Sequence, residues 1–419
     1  MADRLYYRDS FLCHFDAEVR SVIESPRPAV VLDRTAFYPS SGGQIHDTGW
    51  IEVVQPVSKS PEPSLNLKLR VLEVAEAENG EVVHYLEAPV KDLSIGTRVH
   101  GEIDAERRRD HMRQHSAQHV LSAAFVHLFN MPTVSFHMAH DYCSIDLDTP
   151  SLRKEQVEAA ERTANDIVLE NRSVDIRFVT QKEAAQLGLR KPPAAERDEV
   201  RLIDIHDFDL TACGGTHVNQ TGQIGAILLR KIERVRQGYR VEFVAGLRAV
   251  AAARRDFTTL IETASLFSTN IYDVPEQARK GLDETKALNK QYERTLEELA
   301  AVQALSLLAE SPETGGRKII VRSFSDHDMS FLKLLAQKLT RQSPKVVALL
   351  ASQSPSPSLV FAQSAGELCD MGQLLKETVA RLGGRGGGSK DLAQGGFTNI
   401  EGLSAALEAA AEKIRHEAG

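Results

Sequence analysis

His115 and His119 stand four residues apart, Cys213 and His217 stand four residues apart, and residues 120–212 separate the two pairs. If all four serve one ion, the chain must fold so that a helix face meets a distant turn. Residues at i and i+4 on a helix share a face, so two imidazoles at that spacing can point at one ion. The metalloprotease pattern needs Glu directly after the first histidine, and Ser116 stands there instead. His111 lies one turn earlier on the same face, so spacing alone leaves open which two of the three histidines bind. In Cys213-Gly214-Gly215-Thr216-His217, two glycines separate a thiol from an imidazole. That suits a turn wrapped around a metal, with glycine expected to supply positive φ near the ion. Each pair alone is a weak signal, but together their nitrogens and sulfur favour zinc, one ion per chain.

The rest of the chain reads as an α+β protein in four parts. Residues 1–105 form a β-barrel-like module. Ala29–Asp33, the alternating Leu65, Leu67, Leu69 and Val71, Glu81–Leu86 and Arg98–Asp104 read as strands between Gly, Pro and Ser clusters. Residues 106–262 form the α/β domain that carries both metal-ligand pairs. Its first helix is expected from Glu106 to Phe129, with Ala117, Leu121, Ala124, Phe125 and Leu128 on its apolar face. A second helix is expected to start at Thr149-Pro150, Thr as cap and Pro in the first turn. Strands follow near Val200–Ile205, Gly225–Lys231 and Arg240–Val244. Residues 263–312 form a helical linker in which Leu288, Tyr292, Leu296, Leu299 and Val302 recur at helical spacing, as on one arm of an antiparallel pair or a homodimer seam. Residues 313–419 form a C-terminal α/β domain. Its strands are Ile319–Val321, Lys345–Ala351 and Leu359–Ala362, and its helices Phe331–Thr340, Gln373–Leu382 and Glu401–Glu417. Residues 383–390 read as a glycine-rich loop, with too many glycines to be explained by packing.

The formal net charge of −8 argues against a broadly basic nucleic-acid binder, so any RNA contact must come from local patches. Arg107-Arg108-Arg109 is one candidate; Arg230, Lys231, Arg234, Arg236 and Arg240 form another, diluted by Glu233 and Glu242. No membrane span or signal peptide is visible, which makes a cytoplasmic location the expectation. The 4 cysteines are too sparse for a disulfide framework, and only Cys213 has metal-binding company.

Beyond the ligand pairs, Thr35-Ala36-Phe37-Tyr38-Pro39-Ser40-Ser41-Gly42-Gly43-Gln44, then Asp47-Thr48-Gly49, precedes the HxxxH. The CGGTH segment runs on through Val218 to Thr221-Gly222-Gln223-Ile224-Gly225. Gly383–Gly388 is followed by Asp391, Ala393, Gln394 and Gly395-Gly396. In this order the motifs resemble the editing and C-terminal domains of alanyl-tRNA synthetase and its freestanding AlaX-type relatives, over nearly the whole chain. The chain departs from the synthetases at Gln118, where they usually carry Thr; Gln there is similar to the long freestanding editors.

The resemblance implies zinc ligands His115, His119, Cys213 and His217, with His111 outside the set. Ser41, Gly42, Gly43 and Gln44 of the glycine motif, and Gly214 and Gly215 of the turn, are implied to meet the tRNA acceptor end. Arg385, Gly386, Gly387, Gly388 and Lys390 are implied to add a second tRNA contact. Gln118 and Thr216 are the expected polar neighbours of the reaction. Because the chain opens directly on the β module, the expectation is an enzyme that edits in trans without aminoacylating. It would hydrolyse Ser-tRNA(Ala), or Gly-tRNA(Ala). Rival readings are an editor of Ser-tRNA(Thr) and a non-catalytic zinc-containing RNA-binding protein. A phosphoesterase is disfavoured, since Asp326-His327-Asp328 falls short of that class's metal motif.

Overall fold

The computed structural model describes residues 2–54, 68–89, 93–191, 199–353, 356–366 and 369–417. The chain divides into two compact units, 1–262 and 263–419. Leu65 and Leu67 of the expected alternating strand lie outside the described residues.

The first unit opens with a six-stranded barrel. A short strand β1 (Asp3–Arg4) pairs with β4 (Arg34–Thr35) beside it. The barrel itself closes in the order β2 (His14–Ile23), β3 (Ala29–Leu32), β7 (Val82–Leu86), β6 (Lys68–Glu76), β5 (Gly49–Val53) and β8 (Arg98–Ile103). In β2 the alternation of buried and exposed residues puts Phe15, Ala17 and Val19 inside, where they pack with Val71, Val74 and Val99. That is the period-2 pattern of a strand with one wet face.

His84 is fully enclosed in this barrel. Its Nδ1 donates to the Val30 carbonyl (3.2 Å) and its Nε2 accepts from the Thr35 hydroxyl (2.8 Å). Burial pushes the imidazole down from 6.5 to about 4, the Val30 bond only partly opposing it.

Asp104 caps helix α1 (Ala105–Phe129), its Oδ1 accepting from the amides of Glu106 and Arg107, and left-handed Asn130 ends it. From His111 to Phe125 almost every residue is buried except Arg113, polar ones included, so α1 is a central helix rather than an amphipathic surface one. Ala117, Leu121, Ala124 and Phe125 are in the core as expected, whereas Leu128 is exposed. Around α1 lie β9 (Thr133–Met138), β10 (Cys143–Leu147), α2 (Lys154–Leu169), β11 (Val174–Thr180), α3 (Gln181–Gln186), β12 (Glu199–Ile205), β13 (Asp209–Ala212), β14 (Ile227–Val235) and β15 (Gly238–Ala245). One sheet runs β14-β15-β10-β9 and another β11-β12-β13. Helix α4 (Leu247–Leu266) follows. Helix α2 starts at Lys154, not at Thr149-Pro150. The Thr149 hydroxyl is spent on the Ser151 carbonyl, and Gln156 accepts from the Arg153 amide at the true start.

Arg108 corrects the expected Arg107–Arg109 patch. It is 0% exposed, and its Nε donates to both carboxylate oxygens of the equally buried Asp47 (3.1 and 3.2 Å). Its two Nη atoms reach the carbonyls of Ser10 and Ala36. The second basic stretch is largely neutralised, Arg230 by Asp256, Lys231 by Glu233 and Arg240 by Asp146.

In the second unit, α5 (Val274–Glu310) precedes β16 (Glu313–Thr314), β17 (Arg317–Phe324), α6 (Met329–Gln342), β18 (Val346–Ser352), β19 (Ser358–Gln363), α7 (Met371–Arg381), β20 (Arg385–Gly388), β21 (Leu392–Gly396) and α8 (Leu403–Glu417). The sheet order is β16-β17-β18-β19-β21-β20. The end of α5 and α6 pack on one face, against Ala348, Leu350 and Val360. Helices α7 and α8 cover the other, against Val347, Leu349 and Phe361. Leu288, Tyr292 and Val302 of α5, expected on one arm of an antiparallel pair or on a homodimer seam, are exposed in the single chain. The expected glycine-rich loop is in fact edge strand β20, paired with β21. Packing explains two of its three glycines: a Cβ at Gly386 would lie 2.5 Å from Leu375, and one at Gly388 would lie 2.3 Å from the Leu392 carbonyl, whereas one at Gly387 would meet only the Lys376 side chain at 3.5 Å.

Two outcomes follow for urea unfolding, read through Trp50, the 1 tryptophan, which sits on barrel strand β5. Asp47→Ala leaves the Arg108 charge buried without a partner, and costs about 3–5 kcal/mol. For His84, the unfolded chain takes up a proton below pH 6.5 while the folded one resists to about 4. The resulting stability is present above pH 6.5 and is lost as pH falls toward 4. His84→Gln should therefore lose about 3 kcal/mol less than wild type across that window.

Candidate metal centre and its cavity

The four residues that the resemblance implies as ligands converge. One ligand atom from each of His115, His119, Cys213 and His217 lies within 4.8 Å of all the others. Sγ of Cys213 is 3.5 Å from His115 Nε2 and 3.3 Å from His217 Nε2. Two donors at tetrahedral angles around a zinc-sized ion stand roughly 3.3–3.6 Å apart, and both of these sulfur–nitrogen separations fall in that range. His111 is outside the cluster. It is buried, its Nδ1 has no partner among the described residues, and burial with nearby Arg107 and Arg248 pushes it down to about 2.

Each imidazole is held from behind by its Nδ1. His115 Nδ1 meets Gln44 Oε1 at 2.7 Å, His119 Nδ1 meets Asp209 Oδ2 at 3.2 Å, and His217 Nδ1 meets Ser116 Oγ at 3.1 Å. Outer partners of this kind set ring orientation at metal sites. They leave the Nε2 edges toward the thiol, a second fit of the donor set to a bound ion. Asp209 is itself fixed by Arg190, whose Nε donates at 2.6 Å and Nη2 at 2.9 Å. Arg201 braces the turn, Nη1 on the Cys213 carbonyl (2.6 Å) and Nε on the Tyr7 carbonyl (2.8 Å).

Burial would raise the Cys213 thiol, but His115 and His217 beside it bring it well below its ordinary value. That favours the thiolate, the form that ligates. Burial pushes His115 and His217 down. His119 is lifted despite its burial by the hydrogen bond to Asp209.

The two glycines of the CGGTH turn serve a purpose other than the expected one. Neither has positive φ. A Cβ on Gly215 would lie 2.1 Å from His115 Cε1, and one on Gly214 would lie 3.3 Å from the Tyr7 hydroxyl. Close approach, not backbone conformation, excludes a side chain at Gly215. In the glycine motif the reverse holds at Gly42, whose φ is 57° with open space around it.

The centre forms one wall of a cavity of about 380 Å³. Ser41, Gly42, Gln118 and Gly214 line it together with His115, His119 and Cys213. Gln118 is anchored there, its Nε2 donating to Ser122 Oγ at 2.8 Å. Ser122 also accepts from Thr133 Oγ1 at 2.7 Å. Gly215 lines a smaller adjoining space of about 70 Å³. Gly43, Gln44 and Thr216 do not line the larger cavity. Thr216 is enclosed, its amide donating to Gln44 Oε1 and its hydroxyl accepting from Gln44 Nε2. Arg385–Gly388 and Lys390 belong to the other unit, with Arg385 and Lys390 exposed. Asp209, Arg190, Ser116 and Arg201 were not singled out in the sequence. Only Ser116, inside the HxxxH, carried any signal.

Comparison with known proteins agrees with these motifs. The family described as tRNA synthetases class II (A) matches residues 7–107. Threonyl and Alanyl tRNA synthetase second additional domain matches residues 200–241, and the DHHA1 domain matches residues 316–416. Alanyl-tRNA editing protein AlaX-L of Pyrococcus horikoshii is 29% identical over 94% of this chain and 94% of its own length. The chain resembles the long alanyl-tRNA editing proteins from end to end. Alanine–tRNA ligase of Thermococcus kodakarensis is 33% identical over 96% of this chain, and that of Methanobrevibacter smithii 30% over 98%. The chain spans 42% and 46% of those two ligases. The C-Ala domain of Aquifex aeolicus alanyl-tRNA synthetase aligns with 25% of this chain and 96% of its own, at 24% identity and a TM-score of 0.23.

Gly215→Ala forces a methyl group into His115. It should cost about 1–3 kcal/mol of first-unit stability in urea. Gly214→Ala, which meets only the Tyr7 hydroxyl, should cost clearly less.

Proposed function

We propose that this chain is a zinc-dependent aminoacyl-tRNA deacylase that hydrolyses mischarged tRNA(Ala). Ser-tRNA(Ala) is its main substrate, Gly-tRNA(Ala) a second one, and it acts in the cytoplasm, in trans to the ligase. The observation that carries this reading is the convergence of three imidazoles and a thiol, of which His115, His119 and Cys213 lie on the wall of a cavity that the glycine motif also lines. The likeness to an alanyl-tRNA editing protein over 94% of both chains supports it. Among the described residues no helix is long and apolar enough to cross a membrane.

His115, His119 and His217 through Nε2, and Cys213 through Sγ, would hold the zinc. When bound, zinc supplies a Lewis acid beside the aminoacyl ester. The chain's own residues do the selecting. Ser41, Gly42 and Gly214 leave room for the acceptor end against the cavity wall. Gln118, tethered through Nε2 to Ser122, keeps Oε1 as an acceptor with no protein partner among the described residues. A serine hydroxyl satisfies that acceptor and an alanine methyl leaves it unpaired. Sites built on a dedicated hydrogen bond can reject the analogue lacking the hydroxyl by about 10⁴-fold. Thr216, enclosed against Gln44, supports the wall rather than touching substrate. Exposed Arg385 and Lys390, flanking the glycines of strand β20, are the second tRNA contact of this reading.

The deciding experiment pairs metal analysis with deacylation of Ser-tRNA(Ala), Gly-tRNA(Ala), Ala-tRNA(Ala) and Ser-tRNA(Thr). The last belongs in the panel because the matched second additional domain is shared by threonyl and alanyl enzymes. Wild type should carry one zinc and cleave Ser-tRNA(Ala) in preference to Ala-tRNA(Ala). Cys213→Ala should lose both the metal and the activity. Zinc retention without cleavage of any substrate would make the chain a non-catalytic RNA binder. Gln118→Ala should lower the Ser over Ala preference by about 10–100-fold, the loss of one buried hydrogen bond in a discriminating site. An unchanged ratio removes Gln118 from the specificity pocket.

A further inference from the structure

We propose that Gln44 is a positioning residue for the metal centre, fixing the tautomer of His115 from the glycine motif of the barrel. The inference rests on the zinc reading above.

The carboxamide orientation is settled by its neighbours. The Thr216 amide can only donate, so the Gln44 atom 3.1 Å from it is the oxygen. Nε2 then donates to Thr216 Oγ1 at 2.9 Å. An amide oxygen only accepts, so His115 Nδ1, 2.7 Å from that same oxygen, carries the proton. In the neutral ring Nε2 is therefore bare, and it is the atom facing Cys213 Sγ at 3.5 Å. A neutral imidazole with a free Nε2 lone pair is the form that ligates a metal.

Gln44 is 1% exposed, so water does not replace this partner. Its main chain is tied to Ser41 in both directions (2.9 and 3.0 Å), closing a tight loop around Gly42 and Gly43. The Gly43 carbonyl accepts from the Met138 amide at 2.8 Å, which seats the loop on β9. Within one short motif the labour divides. Ser41 and Gly42 face the cavity, and Gln44 turns inward to the centre. Both ends of the Gln44 side chain are engaged, so its role is set by His115 rather than by RNA.

The test is zinc affinity of the full chain, by competition titration, for wild type, Gln44→Met and Gln44→Glu. Gln44→Met keeps the length and removes the acceptor, and should weaken zinc binding about 10–100-fold. Gln44→Glu keeps an acceptor for both N–H groups and should not weaken it. Unchanged affinity in Gln44→Met overturns this inference alone, whereas a wild-type chain that takes up no zinc overturns the zinc reading with it. A second measurement needs no variant. Nitrogen-15 spectra of the metal-free wild type should show His115 protonated at Nδ1 and bare at Nε2. The opposite tautomer overturns the proposal even if Gln44→Met fails to fold.

Discussion

Three histidines and a cysteine in one buried cluster are expensive unless every polar edge has a partner, and the first unit is organised around meeting that requirement. Only the Nε2 edges and the sulfur face inward. The Nδ1 edges are held by Gln44 from the barrel's glycine motif, Asp209 from β13 and Ser116 from α1 itself. The barrel and the α/β part thus share one polar network. The further layer is equally committed: Arg190 holds Asp209, Arg201 holds the Cys213 carbonyl, and Thr216 holds Gln44.

A second buried polar junction sits behind the first. Arg108 spans from α1 to Asp47 and to the carbonyls of Ser10 and Ala36. Asp47 in turn accepts from the Tyr38 amide, within the motif that also carries Gln44. One buried ion pair therefore anchors the start of the glycine motif to the helix that supplies His115 and His119. Ion pairs of this kind add little net stability against an apolar replacement, but they fix which surfaces meet. Here what they fix is the approach of Gln44 to His115, on which the centre's geometry depends.

Local patterns in the sequence read well where one element could satisfy them alone. Helix α1, the long α5, three of the second unit's six strands (β17, β18 and β19) and the six-stranded barrel's apolar alternation all follow from periodicity. Readings failed where a neighbour decided the outcome. Thr149 has the chemistry of a cap, yet its hydroxyl bonds Ser151 and the helix begins at Lys154. Arg107-Arg108-Arg109 has the composition of a surface patch, yet Arg108 is the largest fully buried side chain among the described residues. Residues 383–388 have the composition of a loop, yet Arg385–Gly388 form β20, whose close approach to β21 and α7 leaves no room for a Cβ at Gly386 or Gly388.

The sequence by itself supplied the candidate donors, because thiol and imidazole chemistry and the four-residue spacings belong to the residues and their immediate turn; which two of the three helix histidines meet Cys213 and His217 is a matter of the fold. Tertiary structure alone decided how those donors are presented. Gln44 lies 71 positions from His115, and Asp209 lies 90 from His119. No periodicity links residues so far apart. Their roles arise only because a buried ring nitrogen must find a partner, and the closed barrel and the strand beside it bring those partners within hydrogen-bond range.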